Sequence, residues 1–188
     1  MEHPIATRVS YWAQQLAAAL PRPETVYHSL ISCIISQKIS FATSRAIRAR
    51  LYALSGMSKF EHGGIQKLGY QSLMGSGLSP DIANLILSIP AAVRLEDLRS
   101  FRGVGNWTVK AVTLMTYSHV DIFLEEDKFV QKRIAQLFGV SQSVDASLWV
   151  SQYWAGHRSA ECRFLWRLKD SGVTKILAGA PLESADLI

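Results

Sequence analysis

Four carboxylates, Asp121, Glu125, Glu126 and Asp127, follow a stretch from Leu98 to Val120 that holds no acid but carries Arg99, Arg102 and Lys110. A second acid-free stretch, Thr25 to Phe60, contains Lys38, Arg45, Arg48, Arg50 and Lys59. A basic footprint beside a small acidic focus suits a protein that grips a polyanion and acts on it. On charge alone, a solvated helix face followed by an acidic turn accounts for the pattern equally well. Within the Leu98–Val120 stretch, Gly103-Val104-Gly105 joins two helical segments by a very short turn. Glycines there allow positive φ and keep side chains away from an approaching phosphate. The helix that follows, from about Trp107, offers its first amides and its positive dipole end to an anion. A lone G-x-G is also an ordinary helix–helix turn, and acids in a first helical turn are ordinary caps.

The elements that must position these groups are helical. Apolar residues recur with helical period, no sustained alternation appears, and no Asn-Gly or Asp-Gly hairpin sits between β-branched runs. The pattern predicts an all-α chain with helices over 5–20, 24–36, 40–54, 65–75, 80–88, 95–100, 107–118, 127–138, 145–154 and 158–170, and a last turn at 173–178. Pro21-Arg22-Pro23 stops the first, and Gly56, Gly63-Gly64, Gly75, Gly77, Gly103, Gly105, Gly139 and Gly172 fall where helices should end or turn. Leu98, Phe101 and Val104, with Val109, Val112 and Leu114, supply the apolar contacts around the hairpin. Phe129, Val130, Ile134 and Phe138 form a core stripe.

The chain has 188 residues, 48% of them apolar, and a net charge of +5. That suffices for one domain, 1–188, with a sizeable core, and excludes disorder as the main state. Its longest apolar runs are far shorter than the roughly 20 residues of a membrane-spanning helix. No basic region followed by an apolar run opens it, so the expectation is a chain that stays inside the cell, cytoplasmic and nucleoid-associated or, in a eukaryote, nuclear. Cys33 and Cys162 have no second ligand at metal spacing and read as buried small hydrophobes. His28, His119 and His157 read as surface or hydrogen-bonded residues, with no metal site expected. Arg158 is the likelier functional neighbour, contacting a phosphate or an Asp.

Taken whole, Leu98-x-x-Phe101-x-Gly103-Val104-Gly105-x-Trp107-Thr108, followed by Asp127, resembles the helix–hairpin–helix DNA glycosylases. The nearer likeness is to the monofunctional alkylpurine, or 3-methyladenine, branch. Asp121 to Arg133 is similar to that group's acid-led helix. Leu30 to Ser40 resembles its early helix with a Gln-containing turn, and Gly77-Leu78-Ser79-Pro80-Asp81-Ile82-Ala83 its turn before the hairpin lobe. Trp154, Arg158-Ser159 and Leu165-Trp166 echo its W…R-S…W helix. Four departures stand out. The chain is too short for the β-rich N-terminal domain those enzymes often carry. Ala111 stands where an aromatic is expected, Lys38 where an apolar wedge is expected, and Gly156 replaces a proline.

The resemblance implies two helical lobes with a DNA-binding cleft. The hairpin lobe spans about 40–138, and the N- and C-terminal helices form the other. It implies a monomer acting on double-stranded DNA that contains a damaged base, probing no membrane. Asp127 becomes the catalytic acid, stabilising an oxocarbenium-like sugar and orienting or activating water. Capping falls mainly to Glu125 or Glu126. Gly103, Val104, Gly105 and Thr108 form the phosphate hairpin, and Gln37 with Lys38 fills the gap left by an everted base. Trp107, Tyr27, Trp154 and Trp166 are candidates to line the base pocket. Bifunctional relatives carry a Schiff-base lysine where Trp107 stands, which points to base removal without strand cleavage. Lys110 and Lys128 are the lysines that would restore it. No cofactor is implied beyond a monovalent cation at the hairpin. Ala111, Lys38 and Gly156 leave open a preference for uracil, hypoxanthine or mispaired thymine, and a non-catalytic DNA-binding protein of the same architecture is the other alternative.

Overall fold

A computed structural model describes residues 3–19, 25–37, 39–117 and 120–187. Pro21-Arg22-Pro23, Lys38 and His119 therefore lie outside the described residues. The described chain is all-α, and its sole extended pairing is an isolated bridge between Leu168 and Leu187. Among the described residues no helix is long and apolar enough to cross a membrane.

The helices are α1 Pro4–Ala19, α2 Val26–Ser36, α3 Phe41–Ser55, α4 His62–Gly75, α5 Pro80–Ser88, α6 Asn106–Thr116, α7 Lys128–Phe138, α8 Val144–Ser151, α9 Arg158–Arg167 and α10 Asp170–Ala178. The segment expected as a helix over 95–100 is a 3-10 turn, Leu95–Ser100. Gly63 and Gly64 fall inside the first turn of α4 rather than ending an element. Gly172 likewise sits inside α10, where a Cβ would meet Leu168 Cδ1 at 2.5 Å and Asp186 O at 3.1 Å. Close approach of the C-terminal segment, not a turn, is what requires glycine there.

The chain forms two compact units, Pro23–Tyr117 and Met1–Arg22 with Ser118–Ile188. These bounds differ from the expected hairpin lobe of 40–138, for a packing reason. Helix α2 packs on α6 and so belongs with the middle unit, whereas α7 packs on α8, α9 and α10 and belongs with the termini.

In the middle unit, α2 is buried from Tyr27 to Ile35, which its nearly unbroken apolar sequence dictates. Thr25 caps it, its hydroxyl accepting from His28 N at 3.1 Å. His28 is a core residue, its Nδ1 accepting from Phe60 N at 2.8 Å. Cys33 is buried, its Sγ 3.7 Å from Met115 Sδ on α6. In the terminal unit, α1 packs on α9, and Val130, Ile134 and Leu137 of α7 are fully buried. Phe129 and Phe138 are half-buried at the edges of that stripe.

Candidate active site

The hairpin lies wholly in the middle unit and is built from backbone. The 3-10 turn Leu95–Ser100 leads into it, and Val104 N donates to Phe101 O at 3.1 Å. Leu98, Val104, Val112 and Leu114 are buried beneath, with Phe101 and Val109 half-buried. Ala111, where an aromatic was expected, is fully buried against this interior.

The two glycines serve different ends. Gly103 has φ +88°, a left-handed conformation that a side chain would strain. Gly105 has φ −95° and needs no glycine for its conformation; it is the N-cap of α6, and a Cβ there would enter open space. What glycine preserves at 105 is bare backbone at the surface. The first intrahelical bond of α6 runs from Val109 N to Gly105 O, so the helix leaves its opening amides to other acceptors. Arg99 and Arg102 are exposed on the same turn.

Thr108 does not face outward as expected. It is 3% exposed, and its Oγ1 accepts from Gln37 Nε2 at 2.9 Å. The same amide donates to Gly103 O at 3.2 Å. Gln37 is also the C-cap of α2, so it ties the end of that helix to the hairpin. Gly103 O and Phe101 O already accept one bond each, leaving only their second lone pairs to a monovalent cation at this turn. Trp107 is half-buried in the first turn of α6. Tyr27 is core rather than a pocket wall, its buried hydroxyl unpartnered and pushed up to about 12 by burial.

Asp127 belongs to the terminal unit and is 7% exposed. It is itself the N-cap of α7: Oδ1 accepts from Phe129 N and Val130 N, both at 2.9 Å. Capping thus falls to Asp127, not to Glu125 or Glu126, which form the turn before it. The other oxygen, Oδ2, accepts from Trp166 Nε1 of α9 at 3.1 Å. Gln131, fully buried, holds the preceding turn by donating to Glu125 O at 2.7 Å.

The segment that delivers Asp127 is laced along α9. Asp121 accepts from Gly156 N and Arg158 N and pairs with the Arg158 guanidinium at 2.9 Å. Ile122 N donates to Ser159 Oγ, which in turn donates to Ile122 O. The buried Cys162 thiol lies against the Leu124 backbone, with burial holding it protonated well above the ordinary thiol range. Asp127 on Trp166 is the last tie. Positions 121, 122, 124 and 127 therefore meet 158, 159, 162 and 166 in order. Local sequence carries no sign of this register. Gln131 was given no role for that reason, while Arg158, Ser159 and Trp166 stood in the W…R-S…W echo.

Trp154 is fully buried, its Nε1 donating to Ala6 O at 3.4 Å and its ring flanked by Phe123 and Phe138, so it is core and leaves the candidate set. Lys128 Nζ donates to Gln131 Oε1 at 3.2 Å. A cavity of about 520 Å³ lies in the same unit, lined by His3, Thr7, Trp149, Tyr153 and His157 among others. It contains none of the candidates. His157 precedes Trp166 by nine residues of α9, about 13 Å along the axis, and the cavity is a separate feature. His157 Nδ1 sits 2.8 Å from Oε1 of the fully buried Glu161, whose carboxyl burial pushes up.

Solved structures share this architecture. A 3-methyladenine DNA glycosylase from Archaeoglobus fulgidus matches at TM-score 0.63 and 24% identity, over 75% of this chain and 56% of that one. It has the fold of the helical 3-methyladenine DNA glycosylases. The chain thus spans little more than half the length of that archaeal protein. A Bacillus halodurans DNA-3-methyladenine glycosidase matches at 0.56 and 20% identity, covering 78% of this chain and 76% of its own. A Schizosaccharomyces pombe 3-methyladenine DNA glycosylase, solved in complex with abasic DNA, matches at 0.63 and 20%, over 78% of this chain and 84% of its own. No family model and no curated protein sequence matches. In this fold the hairpin and the Asp127 helix are elements of separate compact units, each ordered by its own contacts.

Proposed function

We propose that this protein is a monofunctional DNA glycosylase that hydrolyses the N-glycosidic bond of an everted, damaged base, an alkylated purine such as 3-methyladenine. The observation that carries the reading is the Asp127 carboxylate. It is nearly buried and held in one orientation by Phe129 N, Val130 N and the Trp166 indole. Oδ1 serves the helix, while Oδ2 accepts from the Trp166 indole and is not used by the cap.

Loss of the base develops positive charge on the deoxyribose. A carboxylate fixed in a water-poor site stabilises that charge without reorganising at the moment of reaction. The same oxygen can orient the attacking water and take its proton. The hairpin amides, with Arg99 and Arg102, serve a different step, holding backbone phosphates regardless of sequence. Gln37 and Trp107 are the candidates for filling the gap and for contacting the everted base. Trp107 occupies the position at which a lysine would form a Schiff base, and Lys128 is turned to Gln131, which supports hydrolysis without strand cleavage.

A second reading has a specific observation in its favour. Asp127 performs a cap, so the acid has a structural reason to be there, as a non-catalytic DNA-binding protein of this fold would require. The two part in one experiment. Duplexes carrying alkylated purines, hypoxanthine, uracil or mispaired thymine are incubated with wild type and Asp127→Asn, then treated with alkali. Alkali-labile strands from one class of lesion with wild type alone bear out the enzyme. Binding without release from any duplex favours the second reading, and a borohydride-trapped adduct overturns the monofunctional assignment.

A further inference from the structure

We infer that Arg163 and Arg167 form a phosphate site on the unit that carries Asp127, taking a backbone phosphodiester of the DNA strand whose base is removed. The inference rests on the glycosylase reading and adds a contact that neither the hairpin nor the resemblance supplies.

Both arginines stand on α9. At about 100° per residue, positions 163, 166 and 167 fall within one arc of roughly 100°. Trp166 places that arc, because its indole nitrogen donates to Asp127 Oδ2 at 3.1 Å. The acid of the same helix, Glu161, lies about 160° away from Arg163 and is bound to His157. Helix α9 therefore presents two guanidiniums beside the residue assigned to the sugar, with no carboxylate of its own on that face.

Arg163 differs from Arg8, Arg133 and Arg158 of its unit. Arg158 is paired with Asp121, Arg133 with Asp170, and Arg8 donates to the Ile176 carbonyl. Among the described residues no carboxylate lies within ion-pair distance of Arg163. Its Nε donates to Ser159 O at 3.3 Å, which fixes the guanidinium along the helix and leaves its terminal nitrogens to other acceptors. It is nevertheless half-buried. Burial first, and the Arg167 charge second, hold it below the ordinary guanidinium range. Like charges four residues apart on a helix repel, and an anion bridging them relieves that repulsion. Arg167 alone, in the last turn, would be an ordinary complement to the helix dipole. The half-buried Arg163 beside it has no such explanation. A planar guanidinium with both terminal nitrogens available meets phosphate oxygens two at a time.

Binding of a duplex with a stable abasic-site analogue is measured by fluorescence anisotropy across a salt series, for wild type, Arg163→Gln, Arg167→Gln and Arg163→Lys. Melting temperatures confirm that each variant is folded. Each Gln variant should flatten the dependence of log K on log salt by about 0.9, equally for lesion-containing and undamaged duplexes. Arg163→Lys should keep most of the slope. Wild-type binding with an unchanged slope in both Gln variants overturns the inference and leaves the glycosylase reading standing. No binding of any duplex by wild type sinks that reading and the inference with it. Inorganic phosphate is the control ligand: if it raises the melting temperature of wild type but not of Arg163→Gln, while the DNA slopes agree, the site belongs to a free anion and the strand contact is wrong.

Discussion

The hairpin of the middle unit and the Asp127 segment of the terminal unit solve opposite problems. The hairpin must present backbone, so it is made by leaving side chains out: Gly103 for its φ of +88°, Gly105 for the open space where a Cβ would stand. The Asp127 segment must present one side chain in one orientation. Three hydrogen bonds hold the carboxylate, and contacts from residue 121 onward hold the segment that carries it. Contact by subtraction tolerates sequence change except at the glycines. Contact by addition depends on partners some 37 to 39 residues away, and any of them can loosen it.

The largest effect should come from dividing the two jobs of Asp127. Asp127→Asn keeps an oxygen to accept from Phe129 N and Val130 N but removes the charge and the acceptor of the Trp166 indole, so base release should fall about a hundredfold or more while the cap of α7 is kept. Asp127→Ala should lose release to the same degree and also lose the cap, about 1–2 kcal/mol of stability. If Asn and Ala lose stability equally and Asn still releases base, the carboxylate is a cap and the contrast with the hairpin disappears.

Next comes the far end of the lacing. Trp166→Phe keeps an aromatic ring and removes the indole donor to Oδ2, a bond to a charged group worth about 1.5 kcal/mol, or about tenfold in single-turnover rate. Affinity for an abasic-site duplex should stay within about twofold of wild type. A loss of affinity with the rate intact would make Trp166 a DNA contact rather than a positioning residue.

A smaller effect tests the hairpin. Gly105→Ala introduces no strain, so stability should hold while affinity drops by similar factors for every duplex, damaged or not. Gly103→Ala should do the reverse in part, costing about 1 kcal/mol of stability from the left-handed conformation. Measured melting temperatures that fall for Gly105→Ala and not for Gly103→Ala would invert the roles assigned to the two glycines.

The same contrast explains what could be read in the chain beforehand. Helix order and the hairpin rest on local signals, namely apolar period, caps such as Thr25, and glycines at fixed offsets, and the structure reproduces them. The all-α fold and the core stripe of Val130 and Ile134 follow from the same signals. What failed was side-chain direction. Tyr27 and Trp154 are aromatic and therefore look like candidate stacking platforms, yet both are buried core. Thr108 looks like a hydroxyl offered to phosphate, yet it turns inward to Gln37. The capping of α7 by Asp127 itself was hidden by two neighbouring glutamates of equal local merit. Only the distant Trp166 and Ser159, which no window of sequence includes, settle which acid sits at the helix start.

Asp121 gives the smallest effect and the one most dependent on pH. Burial by itself would raise its carboxyl, but the amides of Gly156 and Arg158, the Arg158 guanidinium and nearby His157 outweigh it and hold the group below the ordinary carboxylate value. A carboxyl depressed in the folded state takes up its proton more readily when the chain unfolds. Its stabilisation is therefore complete above the unfolded value near pH 4 and is lost as pH falls through the lower folded value. With about a third of each partner side chain exposed, the contribution is below about 1 kcal/mol. Asp121→Asn should lower the melting temperature by no more than about 2–4 °C at pH 7, and the two melting curves should converge as pH approaches 3. A gap that persists unchanged into acid would mean that hydrogen-bond geometry, rather than the charge, anchors the segment at its upstream end.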